Sequence, residues 1–219
     1  MIHDWTITER EKRRQIERRG RLHAFESLEP SATALVVVDM VPYFAAANAY
    51  VRGIIPNINL LASALREAGG TVAWVLPSAD EPFLELAHEF FGQTIAEAYR
   101  TSGGEGALPE RVCPDLRHAA SDLFVEKTNF SALFPGHSPL PDLLREREIR
   151  TVVVTGTVTN VCCEATARDA RALGYRTIMV ADANAAPTDA MHNATLHTFY
   201  RSFGDVRSTG EVLELIAAG

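Results

Sequence analysis

The sequence predicts a single α/β domain in which a parallel β-sheet is covered by helices on both faces. Apolar runs rich in β-branched residues alternate along the chain with segments of helical pattern. Continuous apolar runs of this kind are typical of strands that are buried on both sides, as in parallel sheets. The 219 residues are 47% hydrophobic and 22% charged, which are the proportions of a globular protein with a complete core.

Six short segments are predicted as strands, because each is apolar and bounded by turn residues or by a helical pattern. They cover residues 34–38, 71–76, 123–126, 151–155, 176–181 and 205–208. Ligands of parallel α/β sheets bind beyond the carboxyl ends of the strands. Asp39, Lys127 and the segment after Thr155 each follow directly on a predicted strand, so they are the candidates for a functional site.

The predicted helices lie between these strands and after the last one. They cover residues 58–67, 83–98, 139–147, 162–173, 188–202 and 211–217. Two of them are followed by glycine, at Gly69 and at Gly174, and glycine commonly ends a helix. Thr159 or Asn160 is expected to cap the fourth of these helices, because short polar side chains satisfy the free N–H groups of a first turn.

The first 30 residues are predicted to form a charged helical arm, and residues 31–219 a single domain without repeats or linkers. The chain carries seven Lys/Arg and four Asp/Glu through Arg21, whereas its formal net charge is −7. An acidic body repels nucleic acid and anionic membrane surfaces, so neither is expected as a partner. The mixed charges of the arm favour a solvated helix or a helix packed against another subunit, and a homo-oligomer, a dimer or tetramer, is expected.

The sequence also predicts the cellular compartment. No apolar run reaches the roughly 18 residues that a membrane span requires. The first twenty residues are too highly charged for a signal peptide. Three cysteines, two of them adjacent, do not form a disulfide framework. A reduced, cytoplasmic protein is therefore expected.

Cys162 lies at the predicted start of the helix that follows the fourth strand. A thiol in a first helical turn feels the partial positive charge of the helix end, which lowers its pKa from about 8.5 towards ~3.5–7.5. The resulting thiolate could attack an amide carbonyl. On position alone Cys162 is either such a nucleophile or a small buried apolar residue, whereas Cys113 and Cys163 are expected to be simply buried.

Lys127 and Asp39 are the residues that could assist this thiol. Nineteen of the 21 basic residues are arginine, and the two lysines are Lys12 and Lys127. An ammonium and a guanidinium are not interchangeable, so position 127 is predicted to require an amine unless the lysine was retained by chance. Asp39 could take the thiol proton and Lys127 could stabilise the ionised forms. Asp39 could equally be a turn residue at the end of its strand.

Histidines and metals are not expected to take part in the chemistry. None of the seven histidines follows a predicted strand, which disfavours catalysis by a Cys–His pair. The histidines and cysteines also lack the spacing of a metal site. Neither a metal nor another cofactor is therefore expected.

Three segments resemble the signature segments of the isochorismatase-like cysteine hydrolases. They read VVVDM at residues 36–40, EKTNFS at residues 126–131 and TGTVTNVC at residues 155–162. The resemblance runs from about residue 33 to residue 208 and includes the order and spacing of the segments. It implies a three-layer αβα sandwich of Rossmann-like type with a six-stranded parallel sheet.

The resemblance also implies roles for individual residues. Asp39, Lys127 and Cys162 would form a catalytic triad. The peptide bond between Thr157 and Val158 would be cis, an arrangement that is rare outside X–Pro bonds. The backbone N–H groups of Val158 and Cys162 would then form the oxyanion hole.

Departures from the family pattern narrow the implied activity. Val41 and Pro42 stand where the family often has glutamine after Asp-Met. The nicotinamidases of the family hold a metal with an aspartate and histidines after the first segment, and those histidines are missing here. The isochorismatases lack the cysteine at the position of Cys162. The remaining resemblance is to the N-carbamoylsarcosine and ureidoacrylate amidohydrolases, whose substrates are small amides or ureido compounds.

The sequence therefore predicts a metal-independent cysteine hydrolase that cleaves an amide or carbamoyl C–N bond of a small molecule through a thioester. Phe44, Phe130 and Thr159 are candidate substrate contacts, although either phenylalanine could belong to the core. An isochorismatase-type vinyl-ether hydrolase, a thiol redox or sensor protein and a non-catalytic binding protein are the alternatives. The redox alternative is disfavoured because adjacent cysteines such as Cys162 and Cys163 make strained disulfides.

Overall fold

The computed structural model describes residues 1–80 and 82–219, and it confirms the predicted parallel α/β fold. Its six strands form one sheet in the order β3-β2-β1-β4-β5-β6, and all neighbouring strands are parallel. The strands are β1 (Thr33–Val38), β2 (Thr71–Pro77), β3 (Leu123–Lys127), β4 (Thr151–Thr157), β5 (Arg176–Ala185) and β6 (Asp205–Arg207). The chain winds outward from β1 in one direction and then from β4 in the other, as in doubly wound folds.

Helices connect the strands and cover both faces of the sheet. The α-helices are α1 (Glu9–Arg19), α2 (Pro42–Ala47), α3 (Ala49–Glu67), α4 (Leu84–Phe91), α5 (Gln93–Arg100), α6 (Leu108–Arg111), α7 (Leu140–Glu146), α8 (Glu164–Ala172), α9 (Asp189–Ser202) and α10 (Thr209–Ala218). No helix in the described ranges is both long enough and apolar enough to cross a membrane.

The sheet divides the core into two apolar layers. Side chains of a strand point alternately to opposite faces, and β1 shows this with Leu35 and Val37 in one layer and Val36 and Val38 in the other. Helices α3 and α10 cover the first layer, and α7, α8 and α9 cover the second. Burial on both sides is the reason why the central strands read as unbroken apolar runs.

Two predicted helices have different bounds in the structure. The helix expected at residues 58–67 already begins at Ala49, because the Asn48 side chain accepts the Tyr50 N–H at 2.8 Å and Pro56 is accommodated inside the helix. The helix expected at residues 83–98 is divided into α4 and α5 at Gly92, whose backbone has φ 77° and ψ 153°. The short helices α2 and α6 were not expected.

The last two strands also differ from expectation. β5 continues to Ala185, four residues further than expected, and its pairing with β4 shifts register between Val154 and Gly156. β6 ends at Arg207, because Ser208 caps α10 in a capping box with Glu211.

The N-terminal arm packs on the rest of the chain. α1 contacts α9, and Gln15 Nε2 donates to the Arg201 carbonyl at 3.2 Å. Further along, His23 lies between Asp205 and Glu211, with each of its ring nitrogens 3.2 Å from a carboxylate oxygen. Hydrogen bonds to Asp205 and Glu211 raise the pKa of His23 to about 9. His23 is therefore charged at neutral pH and forms ion pairs with both carboxylates.

Candidate active site

Asp39, Lys127 and Cys162 lie together at the carboxyl edge of the sheet. Lys127 Nζ is 2.9 Å from Asp39 Oδ2, and it donates to Cys162 Sγ at 3.7 Å and to the Asn129 carbonyl at 3.1 Å. The ammonium therefore bridges the carboxylate and the thiol. We call these three residues the Lys127 cluster. The strand order reverses between β1 and β4, the position at which open parallel sheets bind their ligands.

A sharp turn at the end of β1 fixes Asp39. Its φ of 53° lies in the left-handed region, which aspartate tolerates better than most residues. The Asp39 N–H still donates to the Val75 carbonyl at 2.9 Å, and its own carbonyl accepts the Val41 N–H at 2.9 Å. The carboxylate is thereby held at the point where the chain leaves the sheet.

Gly156 allows β4 to approach β1 closely at the same edge. A Cβ atom at this position would lie 2.1 Å from the Val38 carbonyl oxygen, and the glycine has a φ of 115°. Only glycine fits both conditions. This close approach brings the segment after β4 next to the turn that carries Asp39.

The segment that carries Cys162 is a single π-helical turn, Thr159–Cys163, directly before α8. It follows a cis peptide bond between Thr157 and Val158. The Val158 carbonyl accepts the N–H groups of Val161 and Cys163 at 3.0 and 3.2 Å. We call this segment the nucleophile turn, after the role predicted for Cys162.

The expectation that Thr159 or Asn160 caps a helix here is wrong. Val158 precedes the turn, and no side chain caps it. The Thr159 hydroxyl instead pairs with His192 Nδ1 at 2.9 Å. This hydrogen bond links the nucleophile turn to α9.

The Lys127 cluster is almost completely buried, with exposed fractions of 1% for Asp39, 6% for Lys127 and 8% for Cys162. Burial raises the pKa of the Asp39 carboxyl more than the charge of Lys127 lowers it. Burial lowers the pKa of Lys127, but the charge of Asp39 and the hydrogen bonds to Asp39 and Cys162 raise it more, so its net pKa lies above the ordinary value. The lysine is therefore charged at neutral pH.

The expected low pKa of the Cys162 thiol is not found. Burial and the charge of Asp39 raise this pKa to about 12, against the opposing effects of Lys127 and of a hydrogen bond from the Val158 backbone. The prediction considered the helix end alone and left out the carboxylate beside the thiol. At rest Cys162 is a neutral thiol, and Asp39 Oδ1 is buried with no hydrogen-bond partner in the described part of the chain.

The other candidate residues lie in different surroundings. Phe130 is exposed, close in sequence to Lys127, whereas Phe44 is partly buried against the core layer of α3. Thr159 is fully buried, and its contact with substrate stays a prediction. Cys113 and Cys163 are buried as predicted, and Cys163 Sγ lies 3.9 Å from the Thr155 carbonyl oxygen.

Within residues 1–80 and 82–219, no group of three or more His, Cys, Asp or Glu side chains is arranged to hold a metal ion.

A family model described as the isochorismatase domain matches residues 33–211 of the sequence. The chain belongs to the isochorismatase family. Asp39, Lys127 and Cys162 all fall within the matched region, and the resemblance of the three sequence segments is thereby confirmed.

Several curated proteins are similar to this family member over most of its length. The ureidoacrylate amidohydrolase RutB of Klebsiella pneumoniae subsp. pneumoniae is 30% identical over 207 residues, covering 83% of this chain and 87% of that protein. The uncharacterized isochorismatase family protein YwoC of Bacillus subtilis is 31% identical over 191 residues, covering 84% and 94% of the two chains.

Solved structures of the family share the fold. A cysteine hydrolase from Pseudomonas syringae pv. phaseolicola superposes with a TM-score of 0.76 at 27% identity, covering 90% of this chain and 97% of that one. N-carbamoylsarcosine amidase from Thermoplasma acidophilum superposes with a TM-score of 0.65 at 28% identity, covering 81% and 96%.

Sequence reasoning missed a second polar cluster of this isochorismatase-family chain, in which two histidines are buried and the other two residues are partly exposed. It consists of His3, Tyr50, Asp189 and His192, and we call it the His3 cluster. The His3 ring stacks between the rings of Tyr50 and His192, and His192 contacts Thr159 of the nucleophile turn. His3 and Asp189 are 186 positions apart, and no spacing in the sequence signals their contact.

Proposed function

We propose that this protein is a cysteine amidohydrolase that cleaves an amide or carbamoyl C–N bond of a small molecule through a thioester on Cys162. Asp39 serves as the proton acceptor and donor, Lys127 as the fixed positive charge, and no metal ion is required. The single observation that carries the proposal is the buried Lys127 ammonium between the Asp39 carboxylate, at 2.9 Å, and the Cys162 sulfur, at 3.7 Å.

The high pKa of the thiol is compatible with attack, because its proton goes to Asp39 and not to water. Asp39 Oδ1 has no hydrogen-bond partner among the described residues, and burial raises the pKa of this carboxyl. As the thiol proton moves to Asp39, Cys162 Sγ forms a bond to the carbonyl carbon of the substrate. The negative charge passes from the carboxylate to the sulfur and on to the substrate oxygen, while Lys127 stays charged. The buried site therefore never changes its net charge.

The tetrahedral intermediate needs hydrogen-bond donors for its oxyanion. The backbone N–H groups of Val158 and Cys162 are proposed for this role. The Val158 backbone N–H interacts with the resting sulfur, so it lies close to where the carbon attacked by the sulfur, and the oxygen on that carbon, would be. The C–N bond then breaks, and the leaving nitrogen takes the proton from Asp39.

Hydrolysis of the thioester repeats these steps with water. A water molecule gives its proton to Asp39 while its oxygen attacks the thioester carbon. The carbon–sulfur bond breaks, the acid product leaves, and Cys162 recovers its proton from Asp39. All protons are returned, and neither oxidant nor reductant is consumed.

The relatives support this reaction class. RutB is described as a ureidoacrylate amidohydrolase, and two structural neighbours are described as a cysteine hydrolase and as N-carbamoylsarcosine amidase. All three descriptions agree with a nucleophilic thiol or with cleavage of an amide or carbamoyl bond. Exposed Phe130, which follows Lys127 by three residues, is proposed as an apolar wall at the entrance.

The test combines turnover with trapping of the intermediate. The chain, dialysed against EDTA, is incubated with ureidoacrylate, N-carbamoylsarcosine and a panel of primary amides, and the release of ammonia or amine is measured. Acid-quenched samples are analysed by mass spectrometry. We expect turnover of at least one compound without metal and an acyl adduct on Cys162. Cys162→Ala should abolish both, and Cys163→Val, the matched control, should retain both.

Two outcomes would contradict the proposal. Hydrolysis that persists in a folded Cys162→Ala variant would remove the thiol from the mechanism. Activity that is lost on EDTA treatment and restored by Zn²⁺ or Mn²⁺ would show that a metal ion takes part.

A further inference from the structure

The N-terminal segment of residues 1–8, which we call the strap, lies against the elements that carry the candidate site. The Thr6 N–H donates to Asn193 Oδ1 at 2.8 Å, and Asn193 Nδ2 donates back to the Asp4 carbonyl at 2.9 Å. Ile7 is buried in the same core layer as Cys162. The strap is therefore bonded to α9 on one side and packed into the interior on the other.

His3 is the buried polar residue of this strap, with an exposed fraction of 4%. Its Nε2 accepts the backbone N–H of Ala186 at 2.9 Å, so the ring proton resides on Nδ1. Nδ1 therefore donates to Asp189 Oδ1, at 2.6 Å. Both ring nitrogens are satisfied, and the ring is fixed in one tautomer and one orientation.

The ring of His3 also connects two helices. Its centroid lies 3.8 Å from that of Tyr50 on α3 and 4.3 Å from that of His192 on α9, and the three rings are nearly parallel. His192 is fully buried, and burial together with His3 lowers its pKa to about 3. His192 is therefore neutral at physiological pH.

His192 connects the His3 ring to the nucleophile turn. Its Nδ1 pairs with the hydroxyl of Thr159 at 2.9 Å, and Thr159 is the first residue of the nucleophile turn, three positions before Cys162. A second connection runs through the Ala186 N–H that His3 holds, because Ala185 at the end of β5 pairs with Thr157 of β4. The strap thus holds the nucleophile turn from two directions.

We propose that His3 and His192 are positioning residues that fix the nucleophile turn, so that the strap sets the geometry of Cys162 without touching substrate. The inference rests on the proposed role of Cys162. It explains why polar rings are buried at the first turn of α9, where an apolar pair would fill the space at lower desolvation cost.

The first test removes the contacts one at a time. We expect His3→Ala, His192→Leu and Thr159→Val each to lower kcat by about 10- to 100-fold with KM changed less than threefold, since small displacements of reacting groups are costly. His192→Asn places an amide where Nδ1 lies and should restore most of kcat. The double variant Thr159→Val/His192→Leu should be no slower than the slower single variant, because both remove the same contact.

Gly53 on α3 offers a way to displace the strap without changing a histidine. A Cβ atom at Gly53 would lie 1.6 Å from the Met1 carbonyl oxygen. Alanine is otherwise favoured over glycine in a helix. We expect Gly53→Ala to lower kcat in the same way as His3→Ala, although the substitution strengthens the helix itself.

Two controls separate positioning from a general loss of stability. His197→Leu changes a histidine on the same helix that lies outside the His3 cluster, and it should leave kcat within twofold of the unmodified protein. Leu215→Ala removes core packing on the opposite face of the sheet. It should lower the melting temperature but not kcat, measured where the protein is folded.

Alkylation of Cys162 tests the geometry independently of any substrate. In the intact protein the buried thiol should react slowly with iodoacetamide at pH 8, because its pKa is raised to about 12. In His192→Leu a loosened turn should let this pKa fall towards the ordinary ~8.5 and increase the rate about tenfold or more. Mass spectrometry follows Cys162, with buried Cys113 as the internal reference.

The outcomes distinguish the two proposals. If Cys162→Ala retains hydrolysis, the proposed function fails, and alkylation still decides the positioning role. If Cys162 is essential but folded His192→Leu, Thr159→Val and Gly53→Ala remain within twofold in kcat with unchanged alkylation, the positioning role is overturned. It is also overturned if Leu215→Ala lowers kcat as much as His192→Leu does.

Discussion

The Lys127 cluster and the His3 cluster are both polar groups at the carboxyl edge of one sheet, but their aspartates lie in different surroundings. In the His3 cluster, His3 Nδ1 donates to Asp189 and His3 Nε2 accepts the Ala186 N–H. In the Lys127 cluster, Asp39 Oδ1 lacks a partner among the described residues and the thiol lies beside a carboxylate. His192 Nε2 is also buried without a partner among the described residues, so the difference lies in the two aspartates. Asp189 is partly exposed and accepts a hydrogen bond from His3, whereas Asp39 is buried and its Oδ1 can accept a proton.

The two aspartates give the sharpest test of this difference. Asp39→Asn removes the only group proposed to take the thiol proton, so we expect turnover to fall by about 10²–10⁴. Asp189→Asn keeps an oxygen that accepts from His3 and should cost less than tenfold. Steady-state kinetics of the two folded variants measure the comparison. Equal losses in both would show that the clusters do not differ in function.

The second test asks whether Lys127 supplies more than positive charge. The planar guanidinium of Lys127→Arg does not fit between a carboxylate at 2.9 Å and a sulfur at 3.7 Å. We expect turnover to fall by about 10² or more. Circular dichroism and thermal melting establish that the variant is folded. Near-normal turnover in such a variant would reduce Lys127 to a structural ion pair.

The third test measures how the free energy of unfolding depends on pH through His192 of the His3 cluster. The pKa of His192 is lowered from 6.5 to about 3 in the folded protein, so between these values the unfolded chain binds a proton that the folded chain does not. The free energy of unfolding should therefore decrease as pH falls from about 6.5 towards 3, by a few kcal/mol for this residue, because one pKa unit corresponds to about 1.4 kcal/mol. Urea titrations at several pH values should show a smaller decrease for His192→Asn. Identical pH dependence in both proteins would contradict the assignment.

The smallest effect is expected at Cys163, beside the proposed nucleophile. This side chain is fully buried, and among the described residues its sulfur makes one long polar contact, at 3.9 Å, to the Thr155 carbonyl. Valine fills a similar volume, so Cys163→Val should keep turnover within about twofold and the free energy of unfolding within ~1.5 kcal/mol. A folded Cys163→Val variant without turnover would mean that Cys163, and not Cys162, is the nucleophile.

Much of the Lys127 cluster could be predicted from the sequence, because local signals place its members. Asp39 and Lys127 each lie at the end of an apolar run, Cys162 lies beyond another, and parallel strands bring their carboxyl ends to one edge. The apolar runs themselves, alternating with helical patterns, predicted the fold class and the approximate positions of the six strands. Helix boundaries were less predictable, since the division of α4 from α5 depends on the conformation of Gly92.

Other features depend on packing that the sequence does not display. The direction of the Cys162 pKa shift is set by burial and by Asp39, which outweigh the helix end. The role of Thr159 depends on a histidine 33 positions away. The His3 cluster joins residue 3 to residues of α3 and α9 that are far away in the sequence, and only the tertiary structure brings them together.

The close contact at Gly156 has a consequence for the sequences that this fold can tolerate. Any side chain at this position would overlap the backbone of Val38, whereas a Cβ at Gly69, with a φ of 82°, meets no atom within 4 Å. In a library that randomises both codons and selects for folded protein, position 156 should return glycine alone. Position 69 should also admit asparagine and aspartate, which enter the left-handed region most readily. Two glycines that both have a positive φ would thus differ completely in the residues that can replace them.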